Sequence, residues 1–498
     1  MPNYDVAIIG SGFSGLGVAV NLRRLGNDNF VILERAAAVG GTWRDSVYPG
    51  CAVDVPSVLY SYSYAPNTDW TRVYATQPEL RAYTENIVET FDLRRHVQLN
   101  SDVAEADFDE AAEQWVLRLT DGRLVRARAV VMGYFSLHAE AIPDIPGRAD
   151  FAGPQMHSSK WDPSFEPEGK RIAVVGAGAS AVQIVPALAK SAAELISFQR
   201  TPAWVIPRLD RPIPPTVRKV LRYVPPIRLA ARGFVFLFLE AMHFAEFHPR
   251  LVSVYEWLVR RVLVRQVPDP EVRRKLTPDY AFGCKRPMVS DEYYRSFARP
   301  NVRLSTEKIT EITANGIRTA DGELHEVDAI VWATGFHVQD SIAHFPDFRT
   351  AQTSTRKKFQ RDGFRAYRGI AFAGLPNLFA ITGPNTALPH TSQFLAIEPT
   401  TKLVARTIEY MRARGIRRYS PSEQAERAWV TRARKRLSTR VWSTGGCTSY
   451  FIDEHGTNTL TWPGGTWSIR LDRRHIRPRD YDLTRVAAAI RPGRPGIE

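Results

Sequence analysis

Short apolar, β-branched runs that end in glycine turns recur twice in this chain, each followed by apolar positions at helical spacing. Residues 4–34 read YDVAIIGSGFSGLGVAVNLRRLGNDNFVILE. Residues 171–201 read RIAVVGAGASAVQIVPALAKSAAELISFQRT. In the second stretch residues 172–175 predict a strand, a helical pattern runs to about residue 192, and residues 195–198 predict the next strand. A switch from strand to helix and back, with a glycine turn between, predicts a βαβ unit and hence a parallel sheet. Two such units predict an α/β fold with two dinucleotide-binding, Rossmann-like domains.

Elsewhere the pattern is less regular. Residues 78–92 predict a helix, and residues 97–131 a β-meander with a turn at 120–123. Residues 129–133 return to the core as a parallel strand, and a Pro-rich link follows at 141–147. A helical insert is expected at roughly 213–280, tied to the second unit. Strands are expected at 302–304, 309–312 and 329–332, with a hairpin turn at 320–322. Residues 377–385 predict a buried strand running into a Gly-Pro turn, and 399–414 and 421–438 predict helices.

The glycine spacings give the two units their chemistry. Gly10, Gly12 and Gly15 stand directly after a strand and open a helix; Gly176, Gly178 and Ala181 do the same in the second unit. A helix N-terminus approached through such a turn binds a pyrophosphate through backbone N–H groups. Glu34 lies 24 residues after Gly10, and Arg200 lies 24 residues after Gly176. A carboxylate there accepts ribose hydroxyls and repels a 2′-phosphate, whereas a cation suits the extra phosphate of NADP. The first unit is therefore read as an FAD site and the second as an NADPH site, with Gln183 and Thr201 in the second candidate set. A purely structural βαβ unit remains the alternative for each.

Residues 40–64, GGTWRDSVYPGCAVDVPSVLYSYSY, are rich in Gly, Pro and aromatics and carry no helical period. A long aromatic loop inside a nucleotide-binding domain covers a ligand. Gly40 and Gly41 permit close backbone approach, Thr42 joins Gly41 among the candidate cofactor contacts, and Trp43, Tyr48 and Tyr60 offer flat surfaces for an isoalloxazine ring. Asp54 is a charge in apolar surroundings and calls for a partner, unless it serves as a cap.

Bulk numbers bound the reading without changing it. A chain of 498 residues forms two or three domains, and 44% apolar with 24% charged residues is an ordinary globular composition. The formal charge of +14 comes from scattered Lys and Arg, with short clusters at 432–436 and 470–477 and no nucleic-acid motif. It favours anionic cofactors at most, general surface electrostatics being the simpler account. Cys51, Cys284 and Cys447 lie far apart and form no metal or disulfide pattern, which predicts a reducing cytoplasm. Residues 1–3 run straight into the first strand, so no signal peptide is expected. Residues 233–247, GFVFLFLEAMHFAEF, are flanked by Arg218, Lys219, Arg222, Arg228 and Arg232. They are too short to span a bilayer, and Glu240 and Glu246 interrupt them. They read as a helix over a substrate cavity or as an interfacial basic helix in weak contact with a membrane surface.

Residues 151–162, FAGPQMHSSKWD, place Phe151, Gly153, His157, Trp161 and Asp162 between the two units. This resembles the fingerprint of the type I Baeyer–Villiger flavin monooxygenases. Gly41, Trp43, Tyr48, Pro49, Gly50 and Asp54 match that family's second pattern, and the ATGF at 333–336 looks like its strand returning to the flavin domain. The resemblance implies an FAD-binding domain in two parts, about 1–137 and 337–498, around an NADPH-binding domain at 138–336 with its helical insert near 208–282. It implies that Lys285 helps Arg200 hold the 2′-phosphate. It also implies that Arg286, oriented by Asp54, stabilises a flavin C4a-peroxide that converts a ketone and dioxygen to an ester or lactone. His157 is expected to couple domains rather than to react. Residues 447–470 resemble the C-terminal active-site loop, with Tyr450 and Phe451 where Trp and Tyr are usual, and Gly464 and Gly465 suited to a mobile lid. Disulfide reductases share the double plan but need a close cysteine pair, which the spacing does not offer. N- or S-oxygenation and an NADPH-responsive flavin-binding protein are the alternatives. The ketone and the oligomeric state are not legible.

Overall fold

The computed structural model describes residues 2–134, 139–245 and 249–485. Two parallel-cored sheets carry the two glycine turns. In the larger, the strand Asn3–Ile9 pairs in parallel with Phe30–Leu33 on one side and with Leu124–Met132 on the other. Its residues are buried from Val6 onward because both faces are covered, the usual reason a parallel strand reads as one continuous apolar run. Leu124–Met132 is long enough to serve twice, antiparallel to Gln114–Leu119 near its start and parallel to Leu375–Ala380 near its end. The smaller sheet is five parallel strands in the order Val302–Ser305, Glu194–Phe198, Arg171–Val175, Ala329–Trp332 and Gln155–His157.

Both predicted βαβ units are present. Phe13–Arg24 is the first crossover helix and Ala181–Leu188 the second. Among the described residues the insert holds four helices, Pro215–Tyr223, Pro225–Ala245, Pro249–Gln266 and Pro270–Leu276, each opened by proline, which lacks only an N–H that the first turn leaves unused. The boundary expected at 137/138 and the last two residues of the 233–247 segment lie outside the described residues.

Four expectations need correction. Val97–Gln98 is not part of the meander; it pairs in parallel with Phe30–Leu33, and the meander starts at Val103. Residues 333–336 are not a strand but the connection leaving Ala329–Trp332. The helix expected from Pro399 begins at Phe394. An interior proline costs about 3 kcal/mol, but Phe394 is buried among Phe13, Tyr60 and Tyr62. Burying such a ring returns about 1.5–3 kcal/mol, and Leu395, Ala396 and Ile397 beside it are buried too. Finally, Cys284 and Cys447 form a disulfide across 163 residues, with Cα atoms 6.1 Å apart. Spacing along the chain says nothing about distance once the fold closes, so the cysteine count no longer argues for a reducing compartment. Cys51 stays free and buried, and burial pushes its thiol up to about 11. No helix among the described residues is long and apolar enough to cross a membrane.

Candidate active site

The first glycine turn has no room for a side chain at Gly15 and takes a left-handed φ at Gly10. A Cβ on Gly15 would lie 1.9 Å from the Gly10 carbonyl oxygen, and Gly10 itself has φ +95°. A Cβ on Gly12 would stand 3.7 Å from the Gly41 Cα, so the aromatic loop is brought against the turn. Glu34 closes the next strand beside it. Its Oε2 accepts from the Ser11 backbone N–H and hydroxyl at 2.9 and 2.6 Å, and its Oε1 accepts from Arg44 at 2.8 Å and the Ala36 N–H at 3.0 Å. Burial would raise its pKa, but the Ser11 hydroxyl, the Arg44 charge and the two N–H groups outweigh it and hold the carboxyl below its ordinary value. Motif spacing does not single out Ser11 or Arg44; the GTWR run, which puts Arg44 one turn past Gly41, is the signal that could have found the latter.

The aromatic loop supplies a wall rather than scattered rings. Thr42 opens the short helix Thr42–Asp45, and Trp43 Nε1 donates to the Tyr60 hydroxyl at 3.2 Å. Trp43 and Tyr60 stand edge to face at 5.6 Å, and Tyr60 packs on Phe394. Tyr48 instead turns toward the second unit, donating to Gln183 Oε1 at 3.1 Å. Gln183 also bonds both backbone groups of Ala52, at 3.3 and 3.0 Å, so its side chain ties the loop to the second crossover helix.

In the second turn the glycines do different work. Gly176 has φ +130°, and a Cβ there would lie 2.2 Å from the Ala333 carbonyl oxygen. Gly178 faces open space, since a Cβ at that position would meet no atom within 4 Å, and this is the room a bound pyrophosphate needs. Arg200, exposed after the second strand with Thr201 half-buried beside it, lies close enough to Lys285 to lower its pKa. Burial contributes most to that lowering, and Asp279 only partly opposes it. Among the described residues neither Arg200 nor Lys285 forms an ion pair, although Lys285 lies over the Tyr280 ring at 4.9 Å. Two neighbouring cations, neither engaged in an ion pair, suit a dianionic phosphate.

Arg286 lies one residue past Lys285. Its Nε donates to Asp54 Oδ2 at 2.9 Å and its Nη1 to the Pro389 carbonyl at 2.7 Å. Burial alone would lower its pKa; the Asp54 carboxylate overcomes this and keeps the guanidinium charged. Tyr60 and Tyr450 are within electrostatic reach of the pair. The disulfide joins Cys284, two residues before Arg286, to Cys447 at the head of the C-terminal loop, which ties that loop to the site. Gly465 precedes the helix Thr466–Asp472, and Glu240 of the insert accepts from the Thr466 N–H and bonds His390 at 2.8 Å, a cluster that no motif or spacing points to.

The fingerprint residues lie on and around the edge of the smaller sheet. His157 ends the edge strand in register with Trp332; its Nε2 bonds the Gly335 carbonyl at 2.9 Å and its Nδ1 the Ser159 hydroxyl at 2.8 Å. Burial outweighs the nearby Glu140 and holds the imidazole pKa below its usual value. Phe151 and Trp161 are buried, a Cβ on Gly153 would meet the Asp328 carbonyl at 2.4 Å, and Asp162 caps the turn at Ser164.

Comparison with known proteins matches this arrangement. Residues 3–350 match the model of the FMO-like family, flavin-binding monooxygenase-like proteins. A protein named Baeyer-Villiger monooxygenase from Streptomyces coelicolor is 41% identical over 97% of this chain and 93% of its own length. One of the same name from Pseudomonas aeruginosa is 40% identical over 97% and 92%. The crystal structure of cyclohexanone monooxygenase from Rhodococcus sp. Phi1 bound to NADP+ superposes with a TM-score of 0.88, at 26% identity, over 97% of this chain and all of that one. With a family model covering more than half its length and relatives this similar along nearly all of it, the chain belongs to the flavin-binding monooxygenase-like family.

Proposed function

We propose that this chain is an FAD-containing, NADPH-dependent monooxygenase that inserts one atom of dioxygen next to a ketone carbonyl, giving an ester or lactone. The observation that carries the reading is the charged Arg286 held between Asp54 and the Pro389 carbonyl, within reach of Tyr60 on the aromatic wall. FAD, reduced by NADPH, supplies the activation of dioxygen. The sheet around Asn3–Ile9 would hold FAD through Gly10, Gly12, Gly15 and Glu34, with Gly41, Thr42, Trp43 and Tyr60 against the ring. The sheet around Arg171–Val175 would hold NADPH through Gly176, Gly178, Ala181 and Thr201, with Arg200 and Lys285 on the 2′-phosphate. Gln183 would act by setting the loop against that helix.

Arg286 stabilises negative charge that develops on oxygen, because a fixed donor in a partly dry site needs no reorganisation when the charge appears. Asp54 keeps it aimed and charged. A neutral oxidant attacked by an amine or thioether has no use for such a cation, so the pair favours ketone oxygenation over N- or S-oxygenation. The test is oxygen uptake by the purified yellow protein with NADPH, with and without linear, cyclic, aromatic and steroid-like ketones. Ketone-dependent uptake with ester product supports the reading. Turnover of only thioethers or amines supports the second class, and no flavin reduction by NADPH leaves a binding protein.

A further inference from the structure

The helix Pro225–Ala245 has its faces reversed. Its inward face carries three polar or charged side chains beside Phe236, which packs on the core: Arg232 donates to the Val58 and Ser61 carbonyls at 2.8 and 3.1 Å, Glu240 holds His390, and His243 is buried in a stack on His390. Its outward positions, Ile227, Phe234, Leu237, Phe238 and Phe244, are 48–72% exposed and recur at helical spacing along one face. A surface helix of a water-bathed protein places these faces the other way round. The next helix, Pro249–Gln266, also turns apolar side chains outward: Val252, Val259 and Leu263 are buried, while Leu251, Val254, Leu258 and Val264 are exposed. Among the described residues, 15 of the 20 exposed large apolar side chains fall between residues 217 and 264. Scattered singly they would mean nothing; concentrated in one insert they mark an interaction surface.

Charge selects the partner. Residues 215–266 carry nine Lys or Arg and three Glu, a formal +6. The two Glu among the described residues, Glu240 and Glu256, are both turned to internal partners, Glu256 accepting from the Phe282 N–H at 2.9 Å. Arg260 and Arg261 are exposed, and Arg261 lies over the exposed Trp257 at 4.3 Å, a cation and an aromatic ring presented side by side as they are at a headgroup layer. A second copy of this chain would bring +6 against +6. An anionic bilayer offers apolar depth and opposite charge together. From this we infer that the insert is a monotopic docking surface, on which the two helices lie in the interface of an anionic membrane without crossing it.

The test is flotation of the full-length, flavin-loaded protein with vesicles of phosphatidylcholine mixed with phosphatidylglycerol, against phosphatidylcholine alone. Co-flotation is expected with the mixed vesicles, weakening as salt screens the basic residues. The variant Phe234→Ser/Leu237→Ser/Phe238→Ser should lower the partition coefficient at least about tenfold with its bound-flavin absorbance unchanged. Arg260→Gln/Arg261→Gln, which leaves the exposed apolar side chains in place, should lower it about 10- to 30-fold on the mixed vesicles only. Absence of flotation with both vesicles, or variants that float like the parent, would overturn the inference. So would a concentration-dependent dimer in sedimentation that the serine variant disperses while no vesicle binds. None of these readouts depends on oxygenation.

Discussion

Arg286 Nε meets Asp54 Oδ2 at 2.9 Å although 232 residues separate them, and the Pro389 carbonyl takes a second donor of the same guanidinium at 2.7 Å. Three distant segments therefore agree on where one cation points: the aromatic loop, the turn after the insert and the segment that follows the Gly-Pro turn. Arg holds two acceptors along the fixed directions of a planar fork with donors left over, whereas the three donors of a lysine ammonium radiate from one atom on a flexible stem.

Replacing this cation should separate the two half-reactions. Arg286→Ala is expected to keep flavin reduction by NADPH within a few-fold while ester formation falls about 100- to 1,000-fold. Arg286→Lys should recover little, for the geometric reason just given. Stopped-flow reduction and gas-chromatographic product yield measure the two halves; full lactone yield from the alanine variant would remove Arg286 from its assigned role.

Cofactor choice rests on Arg200. With Arg200→Ala, kcat/KM for NADPH should fall roughly 10- to 100-fold, the worth of a charge-assisted hydrogen bond, with NADH little affected. Lys285→Ala should act in the same direction. Steady-state kinetics with the two nucleotides decides it, and equal losses for both would show that the phosphate is held elsewhere.

Two glycines of one turn should behave oppositely. Gly176→Ala drives a Cβ to 2.2 Å from a backbone oxygen at φ +130°, and should lower stability by about 1–3 kcal/mol or more. Gly178→Ala meets nothing, so its melting temperature should hold while NADPH binds more weakly. Thermal melts beside nucleotide titration distinguish them; a normal NADPH affinity in Gly178→Ala would argue against pyrophosphate at this turn.

The disulfide can be counted directly. The unfolded, unreduced protein should show one thiol, that of Cys51, and three after reduction. Cys284→Ser/Cys447→Ser should lower stability by about 2–5 kcal/mol, since the bond closes a long loop in the unfolded chain. Three thiols before reduction would place these sulfurs apart.

His157 makes stability pH-dependent. Its pKa is lowered in the fold, chiefly by burial, so the unfolded chain binds the extra proton more readily. Its stabilisation is complete above the unfolded value of about 6.5 and declines as pH falls below it. Protonation would also cost Nδ1 the bond it accepts from the Ser159 N–H at 3.2 Å. Melting temperature against pH should flatten in this range for His157→Asn; an unchanged slope would assign the dependence to other groups.

The chain itself dictated the two βαβ units, because strand burial, glycine turn and helical period are local, and it dictated the Glu34 and Arg200 contrast, because the residue ending the second strand stands at a fixed offset from the turn. The resemblance carried by residues 41–54 and 151–162 pairs Asp54 with Arg286 without reference to any distance. Tertiary structure alone decided the rest. The Cys284–Cys447 bond, the start of the long helix at Phe394, the tie of Gln183 to Ala52 and the Glu240–His390 contact each join segments far apart in sequence. Such contacts depend on which faces the closed fold brings together, and periodicity can report that a face exists but not what it meets. In the insert the apolar period is plain in the sequence, yet only the packed structure shows that the apolar side faces out.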